Sequence, residues 1–414
     1  GAFAIGLGGA DVAVAMVLGE TWIEVPEAIA VEYTGTPPWG LCGKEIILRT
    51  LGLFGRNTVA LERTVEYVGD AVRRFTTDMR FTIANMTAEF GGLNGIFEPD
   101  EVESERTVII SELEGYANYP ETWLDEAVKA IAFSAHPYHH PVIGYKSDLL
   151  AMTRDELYSY YQTFYMPNNA VLVLVGDFDS AAMLRTVERH FAELPRGPAL
   201  PAVRAVEPEP QGERRVTIRR PGPAEYVQIG YLAPDCRSAD FAPMAVLDAV
   251  LSGAKALSFM GGGAQTNRSA RIYQALVETE LAVAAWSSYG PTRDPYLFEL
   301  SATVRPDRTA ASVEAALIRE IDRIQQDGIG PDELAKVLKQ VRAQIAYNSE
   351  SVTNQALQIG MWEVLDSFHR LDSLLDELAT VTPDDVRRVA QRYLTERRRV
   401  VGHFIPSEEP QDDT

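Results

Sequence analysis

Apolar residues in most of the chain recur at the three- and four-residue spacing of amphipathic helices, with short apolar runs of strand type between them. Residues 153–165 begin with Thr-x-x-Glu, the spacing of a capping box, and predict a helix. The valine-rich segment 170–175 predicts a strand, and the segments 215–218 and 226–231 predict two more. Helices and strands therefore alternate over this part of the chain.

The first hundred residues have a different pattern, in which glycine-rich turns separate short apolar runs. The pattern predicts helices at 11–18 and 64–79 and a strand at 28–33. From residue 99 onward the helices become longer and begin at Thr or Asp caps. The change predicts a boundary between two parts of different origin.

Two segments near the middle of the chain are repeated near its end. Pro-Asp-Glu-Val at 99–102 recurs as Pro-Asp-Glu-Leu at 331–334, and Thr-Arg-Asp-Glu-Leu at 153–157 recurs as Thr-Pro-Asp-Asp-Val at 382–386. The separations are similar, 232 and 229 residues, and both segments of the second pair lead through a helix into a valine-rich strand. The pattern indicates two copies of one α/β unit.

The two copies are not equally complete. The second copy extends upstream over residues 214–330, whereas the sequence before residue 99 shares no turn or strand pattern with that stretch. The first copy is therefore predicted to be truncated.

The helix predicted at 101–113 carries Glu105 and Glu112, which lie two turns apart and therefore on one face, in line with Val108 and Ile109. Carboxylates within an apolar stripe are costly unless they are paired or bind a cation. The spacing by itself fits a solvated acidic face with ordinary salt bridges as well as a metal site.

The sequence around this helix resembles the pitrilysin/insulinase family of zinc metallopeptidases. Glu-Ser-Glu-Arg-Thr-Val-Ile-Ile-Ser-Glu-Leu-Glu at 103–114 is similar to the downstream ligand helix of that family, and 136–138, 166–169 and 175–177 continue the match in order. The likeness covers about residues 97–406, especially to dimeric two-domain members such as the mitochondrial processing peptidase. It implies an α+β fold with repeated antiparallel sheets flanked by helices, peptide or protein substrates, and a homodimer or a heterodimer with another peptidase-family subunit.

The same resemblance implies a zinc site and shows that part of it is missing. In the family, two histidines of H-x-x-E-H and a later glutamate hold zinc, and the glutamate of the motif is the general base. Glu112 matches the later zinc ligand and Glu105 a supporting carboxylate, but no histidine precedes His136. One carboxylate cannot replace the three protein ligands of a catalytic zinc site. We therefore expect no bound zinc and no peptidase activity from this chain alone.

His136 and His140 have H-x-x-x-H spacing, but Pro137 lies between them and Pro141 follows directly. Prolines at these positions do not fit a mid-helix ligand pair, so we predict an ordinary loop, with opportunistic metal binding as the less favoured interpretation.

A glycine run in the second copy precedes a helix that the resemblance places at the substrate chamber. No Gly-Lys-Ser/Thr follows the run, which argues against a phosphate loop. The arginine and tyrosine that grip substrate in some family members align with Leu276 and Val283 here. The residues that the resemblance assigns to the chamber are Gly261, Gly262, Gly263, Arg268, Arg271 and Tyr273.

Residues 1–98 have a second resemblance, to the aconitase superfamily and especially to the large subunits of isopropylmalate-type hydro-lyases. Its motifs include Gly-Gly-Ala-Asp-Val at 8–12, Gly-Arg-Asn-Thr-Val at 55–59 and Gly-Leu-Asn-Gly at 92–95. The match is to a slice from the middle of that enzyme and implies an α/β fragment. The two resemblances together describe an apparent chimera.

Hydro-lyase chemistry is not expected from this slice. Only Glu66 matches an active-site residue of the aconitase family. Cys42 and Cys236 are the only cysteines of the chain, and the family uses three to bind its iron–sulfur cluster. No iron–sulfur cluster is therefore expected.

The expected domain organisation follows from these two resemblances and from residues 195–213, where five prolines mark a linker. It comprises an aconitase-like fragment at 1–98, the C-terminal half of a first peptidase-type domain at 99–194, a proline-rich linker at 195–213, a complete second domain at 214–406 and an acidic tail at 407–414.

Charge and hydropathy narrow the class of partner. The chain has 59 acidic and 38 basic residues, a formal net charge of -21, which disfavours nucleic acid and anionic membranes as partners. The apolar stretch 3–19 is interrupted by glycines and Asp11, so it fits neither a secretion signal nor a membrane span, and a cytoplasmic location is predicted. Three function hypotheses remain: an inactive peptidase-family chain, a non-catalytic subunit or scaffold, and a hydro-lyase remnant.

Overall fold

The computed structural model describes residues 26–38, 40–56, 58–97, 101–116, 118–255 and 267–407. The chain divides into two compact units, Gly1–Ser111 and Glu112–Thr414. The helix predicted at 11–18 lies outside the described residues.

The first unit contains a small parallel sheet. Its strands lie side by side in the order β1 (Ala28–Glu32), β2 (Thr64–Val68) and β3 (Asn94–Phe97). The connecting segments contain helices α1 (Gly43–Phe54), α2 (Thr77–Asn85) and α3 (Thr87–Phe90). Parallel strands joined through helices confirm the α/β class predicted for this part of the chain.

The predicted strand at 28–33 is confirmed, but the predicted helix at 64–79 is wrong. Val65 and Tyr67 are fully buried while Glu66 between them is exposed, which is the two-residue alternation of a strand. The Tyr67 ring stacks on Phe97 with 5.0 Å between centroids. Pairing of β2 with strands on both sides outweighs the helical spacing that the sequence suggested.

The second unit is built on a five-stranded sheet in the order β4-β8-β5-β7-β6. Strands β4 and β8 are parallel, and all other neighbours are antiparallel. The strands are β4 (Arg214–Arg220), β5 (Tyr226–Ala233), β6 (Ala282–Ser288), β7 (Tyr296–Val304) and β8 (Arg399–Pro406). The strands predicted at 215–218 and 226–231 are confirmed, as is the largely antiparallel α+β class.

Helices account for most of the rest of the described chain. Helix α4 (Glu101–Tyr116) contains the boundary between the two units. The others are α5 (Pro120–Ala132), α6 (Lys146–Ala151), α7 (Arg154–Phe164), α8 (Ser180–Phe191), α9 (Phe241–Ser252), α10 (Ala310–Asp327), α11 (Pro331–Asn348), α12 (Val352–Leu365), α13 (Arg370–Thr380) and α14 (Pro383–Tyr393). Capping boxes begin α7 at Thr153 and α14 at Thr382, as the repeat predicts. None of the described helices is both long and apolar enough to cross a membrane.

Both faces of the second sheet are covered. Val227, Ile229 and Tyr231 of β5 face the large core formed with α9, α10, α12 and α14. Their neighbours Tyr226 and Leu232 face the opposite way, toward α5. All eight residues of β5 are consequently buried.

Helix α5 belongs to the remnant of the first copy but packs on the sheet of the second. Val128 is fully buried there, and Leu124 is 2% exposed. A Cβ atom at Gly402 would lie 2.5 Å from Cγ2 of Val128, so the missing side chain of this glycine permits the close approach. This contact fixes the first-copy remnant to the second domain.

The strand predicted at 170–175 is not formed. In the second copy the equivalent strand β8 is paired on both sides, by β4 and β5. No strand within the described part of the chain pairs with residues 170–175, and Val171, Leu172 and Leu174 are 44–53% exposed. A strand needs a neighbour for its backbone groups, so truncation of the first copy explains this difference.

The proline-rich segment 195–213 has neither helix nor strand, but acidic side chains fix it to other parts of the second unit. The Glu207 carboxylate accepts hydrogen bonds from the backbone N–H groups of Ser134, Ala135 and His136 at 2.8, 2.9 and 3.0 Å. Glu209 forms an ion pair with Arg398. A segment that composition marks as a linker is thus held against the end of α5.

Glu207→Gln is expected to loosen this attachment, because an amide nitrogen would replace one acceptor oxygen. Burial raises the pKa of Glu207, but the backbone N–H donors at residues 134–136 outweigh it and lower the pKa to about 2 from the ordinary 4.5. The native carboxylate therefore stabilises the fold above pH 4.5, and this contribution is lost as the pH falls toward 2.

Urea unfolding at pH 7 should give Glu207→Gln a free energy of unfolding about 1–2 kcal/mol below that of the unsubstituted chain. This difference should shrink below pH 4. Glu193→Gln, at an exposed position shortly before the segment, is the matched control and should change neither value. Equal unfolding of the two variants at pH 7 would contradict the role assigned to Glu207.

Candidate functional site

The two carboxylates proposed from the sequence lie on helix α4 and are exposed. Glu112 accepts a hydrogen bond of 2.7 Å from the hydroxyl of Tyr116, one turn later. This hydrogen bond raises the pKa of the Tyr116 hydroxyl, since ionisation would remove it and place two negative charges together. Val108, in the predicted apolar stripe, is 55% exposed. The local geometry is that of a solvated helix face, the alternative that the spacing left open.

The residues present do not fit a zinc ion. Among the described residues, no three His, Cys, Asp or Glu side chains are grouped so that they could hold a metal. The Glu112 carboxylate has a hydroxyl rather than imidazoles as its neighbour. A catalytic zinc site uses three protein ligands, and Glu112 supplies one.

The segment that contains the histidines at 136–140 forms a turn, which confirms the predicted loop. Residues Pro137–His139 form one turn of 3-10 helix. His139 Nδ1 lies 2.8 Å from the carbonyl oxygen of His136, and His140 Nδ1 lies 2.9 Å from that of Pro141. Each of these imidazoles therefore has a local backbone partner.

The chamber residues proposed from the sequence are only partly within the described chain. Gly261, Gly262 and Gly263 lie outside it. Arg268 is exposed, and Tyr273 begins a short π-helical segment, Tyr273–Val277.

Arg271 is held in place by a bidentate ion pair. Its Nε and Nη2 atoms donate to the two carboxylate oxygens of Glu333, at 2.7 Å each. The guanidinium also lines a cleft of about 450 Å³ between the segment 271–279 and α10. The residues that line this cleft are Arg271, Gln274, Ala275, Thr279, Ala316, Arg319, Glu320 and Arg323.

Leu276 and Val283, which align with the arginine and tyrosine that grip substrate in some relatives, differ in their exposure to solvent. Leu276 is fully buried in the core of the second domain. Val283 is 60% exposed on β6. A buried leucine cannot contact a substrate, and a valine has no donor for a peptide carbonyl. These positions therefore lack the chemistry of the grip.

Sequence reasoning missed a buried polar cluster at the end of α9. Lys255 Nζ donates to Asp248 Oδ2 at 2.8 Å, to the Ser252 hydroxyl at 2.7 Å and to the Ser287 carbonyl at 2.6 Å. The Ser-x-x-Lys spacing of residues 252–255 was its only sequence signal. Through these contacts the cluster ties the end of α9 to β6.

Glu66 lies on the exposed side of β2, between residues 30 and 96 of the neighbouring strands. Cys42, at the start of α1, is exposed, whereas Cys236 is buried. The chain does not contain the three cysteines that an aconitase-type cluster requires, so an iron–sulfur cluster does not fit either.

Comparison with known proteins identifies two families in separate parts of the chain. Residues 151–341 match the family described as Peptidase M16 inactive domain, and residues 1–109 match the aconitase family (aconitate hydratase).

Two solved structures share the fold of most of the chain. A protease from Helicobacter pylori superimposes with a TM-score of 0.69 at 23% identity, over 78% of this chain and 76% of that one. A peptidase M16 inactive domain from Pseudomonas fluorescens gives a TM-score of 0.66 at 18% identity, over 81% and 77% of the two chains. At sequence identities this low, the likeness shows a shared fold and nothing about activity.

The N-terminal part is similar to much longer proteins. It is 52% identical over 99 residues to the 3-isopropylmalate dehydratase large subunit gloJ of Glarea lozoyensis, over 24% of this chain and 11% of that protein. It is 48% identical over 103 residues to the large subunit from Syntrophus aciditrophicus, over 25% of this chain and 24% of that one. The chain thus spans a quarter or less of the length of these relatives.

The chain is therefore a chimera, in which an aconitase-type slice precedes an M16-peptidase-like fold. Its M16 match is to the domain described as inactive. Both resemblances inferred from the sequence are confirmed.

Proposed function

We propose that this chain is a non-catalytic subunit of the M16-peptidase type, which binds peptide or protein but does not hydrolyse it alone. The observation that carries the proposal is the environment of Glu112, whose exposed carboxylate bonds to Tyr116 and has no group of metal ligands around it within the described residues. The absence of H-x-x-E-H from the sequence agrees with it.

The domain organisation supports the same assignment. We propose that residues 214–406 are the complete second domain, that 99–194 is the remnant of the first, and that 1–98 is carried as an aconitase-like fragment. The described second domain has a five-stranded sheet with both faces covered, so it can present a stable surface. Arg268, Arg271 and Tyr273 are the residues we propose to face bound peptide.

Metal content and peptide cleavage test the proposal together. The full chain is equilibrated with zinc, freed of excess metal, and assayed for bound zinc and for cleavage of a mixed library of unfolded peptides. We expect well below one zinc per chain and no cleavage above the buffer rate, with Glu112→Gln indistinguishable from the unsubstituted chain. One zinc per chain, with cleavage that Glu112→Gln abolishes, would overturn the proposal.

A further inference from the structure

A large apolar surface remains uncovered on the remnant of the first copy. Twelve large apolar side chains between residues 157 and 194 are at least 38% exposed. They are Leu157, Tyr158, Tyr160, Tyr161, Tyr165, Val171, Leu172, Leu174, Phe178, Leu184, Phe191 and Leu194. Half-exposed side chains of this size and number together expose an apolar area on the order of 1,000 Å².

The repeat shows what covers the equivalent surface in the second copy. Helix α14 corresponds to α7, and its inward-facing residues Val386, Val389 and Ala390 are fully buried. The residues at the matching positions of α7 are Leu157, Tyr160 and Tyr161, which are 40%, 56% and 54% exposed. We name the surface formed by Leu157, Tyr160, Tyr161 and Leu172 the repeat-one face, because Leu172 matches Val401, which lies in the same core as Val386, Val389 and Ala390.

The same contrast holds for the strand. Val400 and Val401 of β8 are each 1% exposed, between β4 and β5. Their counterparts Val171 and Leu172 are 49% and 53% exposed. Helix α14 packs mainly on α9, α10 and β5, and β8 is paired by β4 and β5, so most of the covering elements belong to residues 214–330, the stretch that has no counterpart in the first copy. Val400 faces the other way and packs on α5.

We propose that the repeat-one face binds a separate polypeptide equivalent to this missing half-domain, in which a sheet edge pairs with residues 171–175 and helices cover α7. The exposed area matches the roughly 800 Å² per partner of a specific interface. Residues 171–175 belong to no helix or strand and carry exposed apolar side chains, which suits strand addition, in which backbone N–H and C=O groups pair with those of a partner.

The shape of the partner follows from the side chains. Tyr160 and Tyr161 stand where the second copy has Val389 and Ala390, so the partner must offer wider pockets than residues 214–330 of this chain do. A half-domain from another peptidase of this fold is therefore the fitting occupant, rather than the second domain of a further copy.

Co-expression tests the proposal independently of peptidase activity, so it is separable from the proposed function. The full chain is co-expressed with a tagged probe, the part of the Helicobacter pylori protease that precedes its counterpart of α4. We expect a soluble one-to-one complex and hydrogen-exchange protection of the amides at 171–175 that is absent from the chain alone.

Paired variants make the test specific. Tyr160→Asp combined with Leu172→Asp should weaken the complex at least about 100-fold, because charges replace two central apolar contacts. Ser159→Asp, on the other side of α7, should leave it unchanged.

Three results would overturn the proposal. The first is a probe that remains insoluble with both the unsubstituted chain and the variants. The second is a soluble probe that leaves the amides at 171–175 unprotected. The third is a homodimer of the chain alone in which these amides are already protected, which would assign the face to a second copy.

Discussion

Val128→Asp is expected to release helix α5 from the sheet of the second domain and to lower the free energy of unfolding by about 3–5 kcal/mol. Val128 is fully buried against Gly402 and Gly230, where neither glycine has a side chain that could pair with a carboxylate. The new charge would be left without a partner in an apolar layer, so the helix should separate from β8 and β5.

Denaturant unfolding and limited proteolysis measure this effect. The chain with Val128→Asp should unfold at lower urea concentration, and protease should cut readily around residues 133–145, after α5. Ala130→Asp introduces the same charge at an exposed position of α5 and should behave like the unsubstituted chain. Resistance to proteolysis in the Val128→Asp chain would show that α5 does not hold the remnant.

Asp240→Ala is expected to lower the free energy of unfolding by about 2–3 kcal/mol, because it separates the start of α9 from α14. The side chain of Asp240 is 8% exposed and accepts hydrogen bonds from Arg388 at 2.6 Å, Arg392 at 3.0 Å and Tyr393 at 2.8 Å. Both arginines are about half exposed or more, so water can replace part of their lost hydrogen bonds to Asp240. The loss of stability is therefore smaller than for a fully buried ion pair.

The pH dependence provides a second readout for Asp240. Burial raises its pKa, but the hydrogen bonds from Arg388 and Tyr393 and the positive charges outweigh burial and lower it below the ordinary 3.8. The contribution is therefore fully present above pH 3.8 and is lost as the pH falls further. Thermal unfolding from pH 7 to pH 3 should show the difference between Asp240→Ala and the unsubstituted chain shrinking, while Asp376→Ala, at an exposed position of α13, should have no effect. A difference that persists undiminished at pH 3 would contradict this account.

The Val128 contact bears on partner binding because α5 fixes the first-copy remnant to the second domain. Asp240 fixes α14, the second-copy counterpart of α7, and lies outside the repeat-one face. A chain that loses the Val128 contact is expected to lose partner binding through a changed scaffold, so binding studies should use variants on the repeat-one face.

Local chemistry made several elements predictable. Thr153 with Glu156, and Thr382 with Asp385, satisfy the first N–H groups of α7 and α14 through side chains close in sequence, so the spacing alone identifies both helix starts. The spacing of apolar residues at 64–79 predicts a helix and misses β2, because β2 pairs with strands 30 and 36 residues away. A short stretch of sequence contains no signal for such distant partners.

The repeat also predicted truncation, and the exposed counterparts of Val400 and Val401 are its structural consequence. By itself, the sequence determined the two resemblances and the repeat, since these depend only on the order of residue types. Tertiary structure alone decided that α5 covers the far face of the second sheet, that Leu276 is in the core and that residues 170–175 form no strand. Those outcomes depend on which distant backbone and apolar groups are available as partners, and hydrogen bonds and burial are properties of pairs rather than of single positions.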